Sequence, residues 1–234
     1  STTVFVTEMN SSLCTGLATA VTLTVNPIPS APATTFNPST YCVGASIAPP
    51  VITTPNVGSV YTWYSDAGLT TVLTTGSNPT NVLLGFSSAV ANTKTIFVTE
   101  TNNTNCQGLA TPVTLTVNAV PVTPGITFTP NVYCVGGVII PPVVTTPNVG
   151  SIYTWYGDVS LTTILTTGTT PTNAQLGFSS AAANVTTVFV TETFNGCESS
   201  AASITLTVNQ LPTSEITGST TICNGQSTNL NFNF

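Results

Sequence analysis

The stretch TTPNVGSVYTWY at residues 53–64 returns as TTPNVGSIYTWY at residues 145–156, and this near-verbatim recurrence decides the fold. Trp63 and Trp155 stand 92 positions apart, as do Cys42 and Cys134 and, again, Cys14 and Cys106. A period of that size is one small domain, so the chain is a tandem array. Successive side chains of a strand point to opposite faces, so in Y-T-W-Y the residues Tyr61 and Trp63 share one face and Thr62 and Tyr64 the other. This predicts the central strand of a β-sandwich with the indole anchoring its core. The preceding P-N-V-G reads as a turn: Pro presets one backbone angle, and Gly tolerates the positive φ that a branched residue resists.

Working outward, residues 30–121 and 122–212 are complete units. Residues 1–29 match the end of a unit, since TTVFVTE at 2–8 recurs at 186–192 and as TKTIFVTE at 93–100. Residues 213–234 match only a unit's beginning, so the chain is expected to be a window onto a longer polypeptide. Each unit closes with a Thr-alternating strand: AVTLTVNPIP at 20–29, PVTLTVNAVP at 112–121 and SITLTVNQLP at 203–212. The steps between units are a few residues long and carry proline, which predicts domains end to end with limited swing. About seven short strands per unit, rich in Thr, Val and Ile and without amphipathic helix periodicity, predict an all-β chain of tandem immunoglobulin-like antiparallel sandwiches. Pro49 and Pro50, repeated as Pro141 and Pro142, place the strand they precede at an edge or at a switch between sheets. The segment 83–89 reads as a short strand or a Gly-kinked crossing. In 93–101 the run Ile96, Phe97, Val98 is apolar on both faces, so its inward side is not assigned.

Charged residues make up 3% of the chain, against roughly 25% in an ordinary soluble domain. The net charge of −6 sets seven acids against one base, Lys94. With no basic stripe to displace counterions, nucleic acid is excluded as a partner. Mean hydropathy is +0.38, yet the most apolar run, 132–144, is too short to span a bilayer and is broken by two prolines. Six cysteines at repeat-locked places, with no CxxC and no histidine, point to a disulfide framework in an oxidising compartment outside the cytoplasm, the alternative being buried free thiols.

No convergent set of titratable groups is present, so neither catalysis nor a cofactor is expected. Glu8, Glu100 and Glu192 share one repeat position and Asp66 and Asp158 another. Calcium needs several hard oxygens together, whereas each acid here stands alone and reads as a solvent-facing strand or turn residue. Lys94 raises an isopeptide bond, but its counterpart is Thr186, so it reads as a surface residue. Trp63 and Trp155, with their tyrosines, read as core aromatics, the alternative being a sugar-stacking platform. Asn10, Asn102 and Asn184 sit in N-x-S/T triplets and are candidate glycosylation sites.

With YCVG near each unit's start, NGC or TNC before its last strand and VTLTVN at its end, the chain resembles the bacterial Ig-like and PKD-like repeats of large secreted Bacteroidota adhesins, proteins of type IX secretion and gliding motility. The resemblance implies an extracellular structural segment, partnered by copies of itself or adjacent repeats and by surface glycans, with a carbohydrate-binding module as the alternative. It also implies pairing of early with late cysteine, Cys42 with Cys106 and Cys134 with Cys197. Cys14 and Cys223 are then left for inter-unit bonds or unpaired.

Overall fold

The structure is a computed structural model describing residues 1–219 and 221–233; Thr220 and Phe234, both in the expected partial repeat 213–234, lie outside the described residues. The chain forms two compact units, Ser1–Ala119 and Val120–Phe234. The first opens with a hairpin of β1 (Thr2–Val6) and β2 (Thr19–Leu23). A sandwich follows, made of β3 (Thr34–Thr35), β4 (Thr40–Cys42), β5 (Val51–Ile52), β6 (Val60–Tyr64), β7 (Val72–Thr75), the helix α1 (Asn81–Leu84), β8 (Asn92–Thr101) and β9 (Thr111–Asn118). Its small sheet pairs β3 with β5, and its large sheet runs β4-β9-β8-β6-β7.

The second unit repeats the plan with β10 (Ile126–Thr127), β11 (Val132–Cys134), β12 (Val143–Val144), β13 (Ile152–Tyr156), β14 (Ile164–Thr167), α2 (Asn173–Leu176), β15 (Asn184–Phe194), β16 (Cys197–Glu198) and β17 (Ala202–Asn209). Here β10 pairs β12, the large sheet runs β11-β17-β15-β13-β14, and β16 pairs β15. A hairpin of β18 (Glu215–Thr217) and β19 (Asn231–Asn233) follows. The fold is tandem immunoglobulin-like sandwiches, with one departure from a purely antiparallel plan. β4 lies parallel to β9, Cys42 opposite Asn118, as β11 does to β17. The cause is directional: the first strand leaves the small sheet at residues 36–39 and joins the large one without turning back, so it runs with the closing strand.

The core follows from strand parity. Tyr61 and Trp63 of β6 face inward together with Ile96 and Val98 of β8 and Val113, Leu115 and Val117 of β9. That settles the ambiguous run in β8, where Ile96 and Val98 are fully buried and Phe97 is half-buried on the other face. The indole's single donor is satisfied as well, Trp63 Nε1 donating to the Gly76 carbonyl at 2.8 Å and Trp155 Nε1 to that of Gly168 at 2.8 Å. Residues 83–89 form neither a strand nor a simple crossing. The hydroxyl of Thr80 accepts the Leu83 N–H, α1 turns once, and Gly85 ends it at φ 62°, a left-handed conformation that a β-carbon resists. This turn drives Leu84 and Phe86 into the core. In the leading hairpin, Thr2 pairs with Leu23 in the register by which Lys94 pairs with Leu115, while Val4, Val6, Val21 and Leu23 are exposed.

Candidate functional site at the incoming end of the repeat

Residues 26–32 lead into β3 at one end of the first sandwich, where they meet two loops, 53–59 and 102–108. Parity carries the inward face of β8 from Ile96 and Val98 to Glu100, which is buried, as Glu192 is in the second repeat. The expectation of solvent-facing acids therefore fails at these two positions. Each carboxylate is held by donors from the P-N-V-G loop. Asn56 Nδ2 donates to Glu100 Oε1 at 2.8 Å, and Asn148 Nδ2 and Ser151 Oγ donate to Glu192 Oε1 at 2.7 and 2.6 Å. The same asparagines donate their backbone N–H to Tyr61 and Tyr153 hydroxyls at 2.8 and 2.9 Å. Charge-assisted bonds of this kind offset the cost of taking a carboxylate out of water, and they fix the loop. Glu8, in the leading hairpin, is exposed, and no three His, Cys, Asp or Glu side chains gather among the described residues.

The turn acids are exposed or half-buried at the surface and act locally. Asp66 accepts the backbone N–H of Thr70 at 3.1 Å and of Thr71 at 2.9 Å, and Asp158 those of Thr162 and Thr163. These backbone donors hold both carboxyls below the ordinary 3.8. On the outer face of the large sheet, Gln107 donates to Thr99 Oγ1 at 3.0 Å and to the Tyr64 hydroxyl. Its counterpart Glu198 instead accepts from Thr191 Oγ1 at 2.6 Å and from the Tyr156 hydroxyl at 3.1 Å. Burial, then the bond to Glu198, raises the Tyr156 phenol above its ordinary 10.0.

Trp63 and Trp155 are 0% exposed, and Tyr61 and Tyr153 are buried with them, so these rings present no open face on which a sugar could stack. Lys94, half-buried, donates Nζ to the Gly85 carbonyl at 2.9 Å. At the candidate glycan sites, Asn102 Nδ2 donates to the Pro27 carbonyl at 3.0 Å and Asn184 Nδ2 to those of Ser179 and Ala182 at 3.0 Å. Asn10 is exposed, its Oδ1 accepting the Ser12 and Cys14 N–H groups.

The expected cysteine pairings are not formed. Cys14, Cys106, Cys134 and Cys223 are free thiols, while Cys42 and Cys197 are disulfide-bonded. Topology gives the reason. Cys42 lies beside Asn118, the last residue of β9, whereas Cys106 lies in the turn before β9 begins. Eight strand residues at about 3.4 Å each separate the two ends by about 25 Å, and a disulfide needs Cα atoms within about 7 Å. The second repeat sets Cys134 beside Asn209 at the end of β17 and Cys197 at the opposite end of the sheet. What sequence reasoning missed here is the parallel strand, for spacing along the chain does not reveal to which end of a sheet a corner is carried.

Cys106 itself faces the incoming chain. Its Sγ lies 3.9 Å from the Asn26 carbonyl and its N–H donates to Asn102 Oδ1 at 3.0 Å. Gly108 packs against Pro29 so closely that a β-carbon there would strike the Pro29 carbonyl.

Residues 29–119 match the family described as Ig-like domain CHU_C associated, a Bacteroidota-associated family. Among solved structures, the fibronectin(III)-like modules of Clostridium thermocellum CbhA are 10% identical, with 76% of this chain and 95% of that one covered and a TM-score of 0.41. A structure from a 1.5-MDa bacterial ice-binding adhesin is 15% identical, with 88% and 73% covered and a TM-score of 0.38. No curated protein matches the sequence. Ig-like domains of this kind are typically non-catalytic structural domains.

Proposed function

From the membership of residues 29–119 in the CHU_C-associated Ig-like family, we propose that this chain is a structural repeat segment of an extracellular adhesin or surface filament. It supplies reach, stiffness and contact with copies of itself, with adjacent repeats or with a cell surface, and it works without catalysis. One observation carries the reading: both complete sandwiches bury their indoles and clothe the outer face of the large sheet with neutral hydroxyls. Thr95 and Thr114 share a hydrogen bond across β8 and β9 at 2.8 Å, and Thr187 and Thr205 do so at 2.9 Å in the second repeat. Such a face stays wetted without the like-charge repulsion that keeps ordinary soluble proteins apart, so copies can approach closely.

Electron microscopy of the native material, with a gold-labelled antibody against residues 30–212, tests this. Label on beaded stalks or ordered fibres outside the cell is the expected result, stalks marking a spacer and fibres a filament. Label confined to the cell interior overturns the reading.

A further inference from the structure

We infer that the late-turn cysteine of one repeat is bonded to the early-corner cysteine of the repeat before it, so that successive repeats are covalently stapled; in this chain that pairs Cys42 with Cys197.

The geometry comes from the first unit alone. Asn26 and Asn118 occupy the same repeat position, the end of the VTLTVN strand. In the complete repeat this position has the corner cysteine as its parallel-strand neighbour: Cys42 lies opposite Asn118, and the Val43 N–H donates to the Asn118 carbonyl at 3.0 Å. A corner cysteine beside Asn26 would therefore stand one strand spacing, about 4.8 Å, from it. The Cys106 thiol points at that place, its sulfur 3.9 Å from the Asn26 carbonyl and 3.8 Å from that of Thr104, with Thr104 Oγ1 donating to it at 3.7 Å. The turn is held there by Asn102, whose Oδ1 accepts the Cys106 and Thr104 N–H groups and whose Nδ2 donates to Pro27. The late cysteine of one repeat thus lies within disulfide reach of the corner belonging to the preceding strand, while its own corner is a strand length away.

The same rule accounts for the redox state of all six cysteines. Late cysteines are Cys14, Cys106 and Cys197; early ones are Cys42, Cys134 and Cys223. Only Cys42 and Cys197 stand in the relation of an early cysteine to the late one of the next repeat within these 234 residues, and these two are bonded while the other four are free. Formation is thiol–disulfide exchange. The two thiols give up two protons and two electrons to a disulfide-bearing oxidant of an oxidising compartment, the sulfur–sulfur bond forms, and the oxidant leaves as two thiols.

The chain's few glutamates make the test direct. After secretion into an oxidising compartment, the intact protein is denatured without reductant, its free thiols are alkylated, and it is cleaved after glutamate. Cys197 is then alone in peptide 193–198, Cys42 lies in 9–100, and Cys106 and Cys134 lie in 101–192. The expected product is 193–198 linked to 9–100, released from a species of monomer mass and lost in Cys42→Ser. Linkage of 193–198 to 101–192, alkylation of both Cys42 and Cys197, survival of the link in Cys42→Ser, or its presence only in a covalent dimer would each overturn the staple.

Discussion

Glu192 is 2% exposed and takes two short hydrogen bonds on one oxygen, which makes it the side chain on which the second repeat's P-N-V-G loop depends. Glu192→Leu would leave the Asn148 amide and the Ser151 hydroxyl orphaned, at about 1–3 kcal/mol each. Glu192→Gln keeps an acceptor and loses only the charge assistance, a cost of about 1 kcal/mol. Urea unfolding followed by Trp155 fluorescence in a Trp63→Phe background reads the difference; a Leu variant as stable as the Gln variant would show that the carboxylate does not hold the loop. Glu198 offers the opposite case, because Gln107 already fills its place in the first repeat. Between the ordinary phenol value of 10.0 and the raised one, folded Tyr156 keeps a proton that the unfolded chain has lost, so stability falls as pH rises above 10.0. Glu198→Gln removes the bonded carboxylate and should shallow that fall in a thermal melt series, with little change at pH 7; an unchanged alkaline slope would leave burial as the whole cause.

The β-turn after the Trp strand is an element whose stability is written in proton linkage. Thr70 and Thr71 backbone donors, and those of Thr163 and Thr162, depress the Asp66 and Asp158 carboxyls. A depressed carboxyl contributes stability above its unfolded value, 3.8, and loses it as pH falls through the lower folded value. Asp66→Asn should therefore lower the melting temperature at pH 7 and converge on the parent as pH is taken below 3.8; a difference constant with pH would exclude a role for the charge. The strand that organises this element was legible from sequence, since one Trp in a period-two run has only one face to fill. The fate of 83–89 was not, because a helix of four residues has no period to read and only its cap, Thr80, and its left-handed Gly85 mark it. The buried glutamates left a signal that went unused: Glu100 continues the parity of Ile96 and Val98, and an asparagine recurs with it in P-N-V-G. The cysteine pairing left none within a single repeat, for it depends on the parallel placement of β4, a property of the sheet and not of any local stretch.

For the molecule as a whole, a chain with one basic residue carries a single tryptic site, and the fold places it inside a sheet. Lys94 lies in β8, between β9 and β6, paired with Leu115 and with its amine bonded to the Gly85 carbonyl. A protease needs several residues of unpaired, extended chain, and freeing them from a central strand means opening most of the first repeat. The native protein should therefore resist trypsin, and when cut it should give only 1–94 and 95–234. Cleavage then reports the open population of the first repeat whenever closing outpaces cutting. Trp63→Ala, which removes the largest fully buried side chain of that core, costs about 3–5 kcal/mol and should raise the cleavage rate between about a hundred- and a few thousand-fold. Trp155→Ala should leave the rate unchanged if each sandwich carries its own core. Equal acceleration by both substitutions would mean that the two repeats open as one cooperative unit, and rapid cleavage of the parent would mean that β8 is not held as the sheet register requires.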